Sequence, residues 1–269
     1  MSSGHGVKLL ACDLDGTLIG PGGKGIDTAK EALDLCRAEG IRVTVATGRV
    51  FGAVERFLWY LDLQDPVITN GGAIISVLGG EPLLMKTISK DLAEEIVLEI
   101  RKMGLPFYYL LGKNMLSEWN GPETENYSKN LDFEIKIVDS VLKTDDEPTQ
   151  IVLRVPSEQA DALVAILSSK WYPRVEVVKS LPGLIEIQPR GVSKGKALQV
   201  LCRIFDINRE EVLAIGDSLN DLDMLSWAGK KACVGNAHPL VKRSVQITAK
   251  GELSEGVLEI VENLIKGNV

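Results

Sequence analysis

Histidine and cysteine are scarce in this chain, which limits the kinds of site that it can build. The 269 residues include two histidines and four cysteines. None of the cysteines belongs to a C-x-x-C pair, and each lies in or beside an apolar run: Cys12, Cys36, Cys202 and Cys233. Buried, reduced thiols are therefore favoured over a disulfide framework or a zinc site. With so few imidazoles, a histidine-based site is nearly excluded as well.

Long apolar runs and an excess of positive charge are also lacking. No apolar run reaches membrane-spanning length, and residues 1–6 are polar, without the apolar core of a signal peptide. Lys and Arg total 30 against 37 Asp and Glu, which gives a formal net charge of −7 and argues against nucleic acid as a main partner. We therefore expect a cytoplasmic protein without membrane or nucleic-acid partners, as a monomer or a small homo-oligomer.

Short apolar strands alternate with amphipathic helices at the start of the chain. Strands near Val7–Cys12, Ile41–Val45 and Pro66–Thr69 are separated by helical patterns over Asp27–Ala38 and Val50–Leu61. This order predicts an α/β fold with a parallel sheet and right-handed crossovers.

The pattern changes from about Gly79 onward. Paired strands with helices over Ser89–Met103 and Glu158–Lys170 are typical of an α+β domain with an antiparallel sheet. The α/β pattern then resumes with a helix at Ser193–Phe205. The length suits two domains, and we place an inserted domain at 80–189 and a core domain at 1–79 and 190–269.

The stretch Leu10–Leu18, LACDLDGTL, ends an apolar strand in two carboxylates, Asp13 and Asp15. Open α/β sheets place their chemistry at the carboxyl ends of their strands. Two acids one residue apart repel each other, so a hard divalent cation with oxygen ligands is expected beside them. Taken alone, such a pair is also an ordinary turn, because Asp is a common turn residue.

Three further segments carry polar groups at the end of a predicted strand or at the start of a predicted helix. Val45–Arg49 ends a strand in Thr47 and Gly48, Gly191–Gly195 puts Lys194 at a helix start, and Ile215–Asp221 ends a strand in two more acids. In this order the four segments resemble the four motifs of the haloacid dehalogenase-like superfamily. More narrowly, they are similar to the Cof-type phosphatases, in which a cap domain is inserted after the second motif. The resemblance implies a Rossmann-like core with helices on both faces of the sheet, plus an α+β cap.

The resemblance also implies roles for the acids. Asp13 would be the nucleophile that forms an aspartyl-phosphate, and Asp15 would be the general acid and then the general base. Magnesium would be bound by the Asp13 side chain, the Asp15 backbone carbonyl and the Asp217 side chain, with Ser218 and Asp221 as outer or secondary contacts.

The remaining motif residues would bind phosphate. By resemblance, Lys194 supplies a fixed cation, whereas without the motifs it would be read as a solvated lysine at a helix start. Thr47 offers a hydroxyl, and Gly48 and Leu14 offer backbone N–H groups. Asn220 would contact phosphate or brace its loop. Lys196, two residues beyond Lys194, points elsewhere and is expected to be solvated.

A cap domain would recognise the part of the substrate that leaves and would exclude water during transfer. The aromatic candidates for specificity could instead be ordinary residues of the cap core or surface. The candidates are Tyr108, Tyr109, Trp119, Tyr127, Arg154, Glu186 and Gln188.

The expected function is that of a magnesium-dependent phosphatase, a phosphoric monoester hydrolase acting on small phosphorylated metabolites, with sugar phosphates as the leading class. Two alternatives use the same residues or the same fold. One is a phosphomutase or phosphotransferase with the same aspartyl-phosphate, and the other is an inactive ligand-binding regulator.

Overall fold

The computed structural model describes residues 6–268 of the chain. Residues 1–5, which contribute to the expectation about a signal peptide, lie outside the described residues. The described chain divides into two compact units. Unit 1 comprises residues 6–48, 55–83 and 193–268, and unit 2 comprises residues 49–54 and 84–192.

The strands are numbered in chain order. They are β1 (Leu9–Asp13), β2 (Arg42–Ala46), β3 (Val67–Thr69), β4 (Ile74–Ser76), β5 (Pro82–Met85), β6 (Phe107–Leu111), β7 (Asn114–Ser117), β8 (Lys136–Ile137), β9 (Gln150–Arg154), β10 (Val175–Leu181), β11 (Leu184–Pro189), β12 (Val212–Gly216), β13 (Lys230–Cys233) and β14 (Ile247–Thr248).

The α-helices follow the same numbering. They are α1 (Ile26–Ala38), α2 (Phe51–Tyr60), α3 (Lys90–Met103), α4 (Pro122–Leu131), α5 (Ser157–Trp171), α6 (Lys194–Phe205), α7 (Leu222–Trp227), α8 (Pro239–Ser244) and α9 (Leu253–Ile265). Short 3-10 turns lie between some of them, including Asn70–Gly72 and Leu219–Asp221.

The larger sheet has the strand order β14-β13-β12-β1-β2-β3-β4-β5. Its centre is parallel: β1 pairs with β12 on one side and with β2 on the other, and every residue of β1 is buried. A strand that is covered on both faces needs a continuous apolar run, which explains why Leu9–Cys12 show no alternation of polar and apolar residues. The predicted parallel α/β sheet is confirmed.

Helices on both faces complete the predicted core. In unit 1, α1 packs with α9, and α6 packs with α7. The buried residues of α1 recur at helical spacing: Ala29, Ala32, Leu33 and Cys36. On one side of β1 the sheet continues with β2, and on the other side it continues with β12, β13 and β14. The boundary between β1 and β12 is therefore the topological switch point of the sheet.

Unit 2 contains a six-stranded sheet in the order β10-β11-β9-β6-β7-β8. The strands from β10 to β7 pair antiparallel, and β7 pairs parallel with β8. Helices α3 and α5 cover one face, where Ile100, Ile151 and Trp171 belong to one buried cluster. This arrangement is the α+β pattern that the sequence predicted for the inserted segment.

The other face of the sheet in unit 2 carries a second, smaller cluster. Tyr108, Leu110 and Val152 from the strands pack there with Val50, which directly precedes α2, and with Ala53 in its first turn. These contacts explain why residues 49–54 group with unit 2, although the sequence assignment placed them in the core domain. Apolar residues in a short helical turn do not reveal which sheet they will cover.

Several short elements differ from the sequence expectations. A strand was expected over Phe133–Val138, but it extends over Lys136–Ile137 only. The segment Asn114–Asn130 had no clear pattern, and it forms β7 and α4. Elements of this length contain too few residues for a hydrophobic period to be recognised.

Two other sequence expectations concern cysteine and membranes. The four cysteines are free and buried in the structure. Among the described residues, no helix has the length and apolar character needed to cross a membrane.

A buried isoleucine in the sheet of unit 2 provides a test of this packing. Ile151 is fully buried between the strands and helices, whereas Ile166 on α5 is 52% exposed. We expect Ile151→Ala to lower the free energy of unfolding by about 2–5 kcal/mol, because it deletes buried methylene groups and leaves a cavity. Ile166→Ala is the matched control and should change it by less than about 0.5 kcal/mol. Urea denaturation measures both, and equal effects would contradict the packing described.

Candidate active site

Two acids lie at the switch point of the sheet in unit 1. Asp13 is the last residue of β1, and Asp217 directly follows β12, the strand that pairs with β1. Because neighbouring parallel strands end at the same edge of a sheet, the two carboxylates come together without any special loop.

The turn after Asp13 is shaped by a glycine. Gly16 has φ +86°, and its N–H donates to the carbonyl of Ile19 at 2.8 Å. A Cβ at this position would lie 2.6 Å from Oδ2 of Asp217. Glycine is therefore required here both by the backbone conformation and by the close approach of the second acid.

A third carboxylate completes an acidic cluster. Ligand oxygens of Asp13, Asp217 and Asp221 lie within 4.8 Å of one another, so these residues could hold a metal ion. Asp13 is 4% exposed and Asp221 is fully buried. Carboxylates so close together and so poorly hydrated require nearby positive charge.

Lys194 supplies part of that charge. Its Nζ donates to Oδ1 of Asp13 at 2.6 Å and to Oδ1 of Asp221 at 2.7 Å, and the side chain is 3% exposed. Burial by itself would lower the pKa of Lys194, but the attraction of Asp13 and Asp221 outweighs burial and raises the pKa. The lysine therefore remains an ammonium ion throughout the physiological pH range.

Asp221 also organises the loop that carries Asp217. Its Oδ2 accepts hydrogen bonds from the backbone N–H groups of Asp217 at 3.1 Å and Ser218 at 3.0 Å. One carboxylate thus fixes the loop with one oxygen and the lysine with the other. The position of Lys194 and the conformation of residues 217–221 are coupled through this side chain.

The Asp217 carboxylate is oriented by two hydroxyl groups. Thr17 donates to Oδ1 at 3.0 Å, and Ser218 donates to Oδ2 at 2.9 Å. Burial and the charge of Asp221 raise the pKa of Asp217, while the two hydroxyl donors act against this rise. For Asp13, burial and Asp221 likewise raise the pKa, and Lys194 opposes them.

The charges of the cluster fit a divalent cation. Three carboxylates against one ammonium leave two negative charges at a nearly dehydrated site. Oxygen ligands of this kind are those preferred by hard divalent metals. The donor set therefore suits a divalent metal, and binding one would bring the cluster to neutrality.

The other predicted site residues lie on neighbouring segments of unit 1. Leu14 is buried, and its carbonyl accepts hydrogen bonds from the N–H groups of Leu18 and Ile19. Asp15 forms an isolated bridge with Ile19. Asn220 is exposed in the 3-10 turn beside Asp221. Ser218 contacts Asp217, as described above.

The second motif follows β2. Thr47 is buried, and its backbone bonds to Ile68 and Gly71. Gly48 lies three residues before the first residue of α2, and a Cβ there would meet nothing within 4 Å. The backbone at Gly48 therefore borders open space.

Sequence reasoning did not assign a role to three residues that brace this site. Thr17 lies within the Leu10–Leu18 motif, and its hydroxyl donates to Asp217. Asp223 accepts a hydrogen bond from the Gly195 N–H at 2.9 Å. The Asn236 side chain donates to the Gly16 carbonyl at 2.8 Å and accepts from the Leu253 N–H. Only Thr17, which lies inside a motif, carried a signal that could have identified it.

Removing the lysine should destabilise the protein. We expect Lys194→Met to lower the free energy of unfolding by about 3–5 kcal/mol in metal-free buffer, because buried carboxylates lose their counter-charge. Lys196→Met is a matched control in the same helix turn, since Lys196 is exposed, and should stay within about 0.5 kcal/mol of the wild type. Denaturation in urea with a chelator compares the variants. Equal stability of the two would show that the ion pairs do not hold the site together.

Comparisons with known proteins identify the family of this chain. A family model described as haloacid dehalogenase-like hydrolase matches residues 10–261. Phosphatase YwpJ of Bacillus subtilis is 28% identical over 294 residues, which cover 96% of this chain and 100% of the relative. HMP-PP phosphatase of Serratia proteamaculans is 27% identical over 237 residues, which cover 87% of this chain and 86% of the relative.

A solved structure is similar over almost the whole chain. The crystal structure of TM0651 from Thermotoga maritima matches with a TM-score of 0.85 at 25% identity, covering 96% of this chain and 97% of that one. The family match spans all four motif segments of unit 1. This chain therefore belongs to the haloacid dehalogenase-like hydrolases and is a phosphoric monoester hydrolase.

Proposed function

We propose that the protein is a magnesium-dependent phosphatase that hydrolyses small phosphorylated metabolites, with sugar phosphates as its main substrate class, through an aspartyl-phosphate on Asp13. The observation that carries the proposal is the Asp13 carboxylate, which is buried at a strand end and held 2.6 Å from a fixed ammonium group. A carboxylate in this setting is oriented for attack and is shielded from competing water.

In the first half of the reaction, a carboxylate oxygen of Asp13 attacks phosphorus and forms a new O–P bond. The bond from phosphorus to the leaving oxygen breaks, and Asp15 donates a proton to the departing alkoxide so that a neutral alcohol leaves. Lys194 stabilises negative charge on the phosphoryl oxygens, because its ammonium is already in place and needs no reorganisation.

In the second half, water attacks the phosphorus of the aspartyl-phosphate. Asp15, deprotonated by the first step, takes the proton from this water. The O–P bond to Asp13 breaks, inorganic phosphate is released, and both aspartates return to their starting states. The two half-reactions balance, and the same residue serves as acid and then as base.

For the metal, we propose Mg²⁺. The Asp13 and Asp217 side chains and the Asp15 backbone carbonyl would bind it, while Ser218 and Asp221 would make outer contacts. When bound, the ion neutralises phosphoryl charge and lets the anionic Asp13 approach an anionic substrate. The excess negative charge of the cluster and its all-oxygen donors support this assignment.

Phosphate itself would be bound by the Thr47 hydroxyl and by backbone N–H groups of Leu14 and Gly48. The open space beside Gly48 is consistent with a ligand close to its backbone. Asn220, exposed beside Asp221, would contact phosphate or brace its loop. Donors that are fixed by the backbone recognise phosphate without regard to the rest of the substrate.

We further propose that unit 2 is a cap domain that recognises the leaving group. The sheet face opposite α3 and α5 presents Arg154, which is exposed and stacks over the Tyr127 ring at 4.9 Å. Beside it, Gln150 donates to Glu186 and to Gln188, each at 3.3 Å. A carboxylate, a guanidinium, amides and an aromatic ring together suit a ligand rich in hydroxyl groups. Tyr109, also a candidate, packs in the core under the helices instead.

Phosphate release from a panel of phosphorylated metabolites tests the reaction. We expect turnover of several sugar phosphates that requires Mg²⁺, disappears with a chelator and falls by at least about a thousandfold in Asp13→Asn, because the amide cannot act as nucleophile. Inorganic phosphate is the measured product. Lys196→Met, which changes an exposed residue of α6, serves as the control and should retain wild-type turnover.

The same panel separates the alternatives. Transfer of phosphate to a second sugar hydroxyl, without phosphate release, would identify a phosphomutase or phosphotransferase. Binding of panel members without any turnover would favour a ligand-binding regulator. Undiminished phosphate release by Asp13→Asn would eliminate Asp13 as the nucleophile.

A charge-removing variant in unit 2 tests the recognition of the leaving group. We expect Glu186→Gln to raise KM for the best sugar phosphate about tenfold, which corresponds to roughly 1.4 kcal/mol. Turnover of para-nitrophenyl phosphate, whose leaving group has no sugar hydroxyls, should change less than twofold. Glu158→Gln on α5, which covers the opposite face of the sheet, is the control and should affect neither substrate. Equal loss on both substrates in Glu186→Gln would argue against a role in recognition.

A further inference from the structure

We infer that Asp223 is a positioning residue for Lys194, acting through the backbone amide of Gly195. Oδ2 of Asp223 accepts a hydrogen bond from the Gly195 N–H at 2.9 Å. Gly195 directly follows Lys194, and Lys194 is the first residue of α6. Asp223 lies outside the four motifs and touches neither Asp13 nor the Lys194 ammonium through any hydrogen bond or ion pair found among residues 6–268. The catalytic effect assigned to it rests on the proposed function of Lys194.

One short segment fixes Lys194 at both ends. Asp221, which ends the 3-10 turn, holds the ammonium at 2.7 Å, and Asp223, in the first turn of α7, holds the amide that follows Lys194. A lysine side chain has four flexible carbons, so fixing its tip alone leaves its backbone free to move. Fixing both ends restricts the side chain to a narrow range of conformations. The spacing of Asp221 and Asp223 therefore determines where the ammonium lies.

Close backbone packing supports the same conclusion. A Cβ on Gly195 would lie 2.8 Å from the backbone carbon, the backbone oxygen and the side-chain Oδ2 of Asp223, so α6 and α7 are in close contact at this point. On the other side, Gly72 has φ +108°, and a Cβ there would lie 2.3 Å from the Ser193 carbonyl oxygen and 3.0 Å from the Lys194 nitrogen. The start of α6 thus lies in close contact with both the Asn70–Gly72 turn and Asp223.

The charge of Asp223 suits this position as well. Asp223 faces the N-terminus of a 12-residue helix, where the helix dipole favours a negative group. The neighbouring N–H, that of Lys196, is capped by the Ser193 hydroxyl. Asp223 and the N-cap residue Ser193 therefore accept hydrogen bonds from two different N–H groups of α6. The bond to Asp223 also connects α6 with α7. A simple capping role would stabilise α6, whereas a positioning role must also change what Lys194 does.

The activity test compares three variants of the full chain. We expect Asp223→Ala to lower kcat about tenfold with KM within about twofold, and to weaken inhibition by orthovanadate by a similar factor, because Lys194 acts on the transition state. Asp223→Asn retains an acceptor oxygen for the Gly195 N–H and should remain within about threefold of the wild type. Asn208→Ala removes an exposed cap elsewhere in unit 1 and should lower Tm without changing kcat.

A stability cycle tests the inference without relying on activity. Unfolding is measured for the wild type, Asp223→Ala, Lys194→Met and the double variant. If Asp223 positions Lys194, the loss of stability caused by Lys194→Met should fall to less than half in the Asp223→Ala background. Additive losses would overturn the inference even for an active phosphatase, and so would an unchanged kcat in folded Asp223→Ala. Coupled losses in a protein that hydrolyses no phosphate ester would support the positioning role and refute the proposed function instead.

Discussion

The contact on which the rest of this site depends is the ammonium of Lys194 between the carboxylates of Asp13 and Asp221. Without that cation, three acids could not share a nearly anhydrous strand end. With it, two negative charges remain, and these suit a divalent metal. The same pair of contacts joins the end of β1 to the start of α6 and to the loop after β12. The two ion pairs of Lys194 therefore set both the charge of the site and the relative positions of its residues.

The strand order of the sheet and three glycines bring the residues of this contact together. The switch point between β1 and β12 brings two acids together at one edge of the sheet, and glycines permit the approach of backbone to side chain. Gly16 admits Asp217, and Gly72 and Gly195 let the start of α6 lie against its neighbours. At these three points a single methyl group would collide with the atoms that form the site. The site therefore depends on glycines at these three positions as well as on its charged side chains.

The sequence predicts the central features because each is local. A buried apolar run that ends in an acid predicts a strand end, and the alternation of strands with amphipathic helices predicts the parallel α/β sheet, which the structure confirms. The proximity of Asp13, Lys194, Asp217 and Asp221 follows from that topology, while their catalytic roles stay predictions. What could not be predicted depends on tertiary contacts. Residues 49–54 pack against the sheet of unit 2, β14 has only two residues, and Asp223 contacts a residue 28 positions away. None of these leaves a periodic pattern in the sequence.

The most direct test of the account is to trap the protein during turnover. The enzyme is mixed with Mg²⁺ and its best substrate, quenched in acid, digested and examined by mass spectrometry for a phosphoryl group. The account predicts a phosphorylated peptide that contains Asp13, modified at that residue and absent from Asp13→Asn. A phosphoryl group on another residue, or rapid turnover without any phosphorylated peptide, would contradict it.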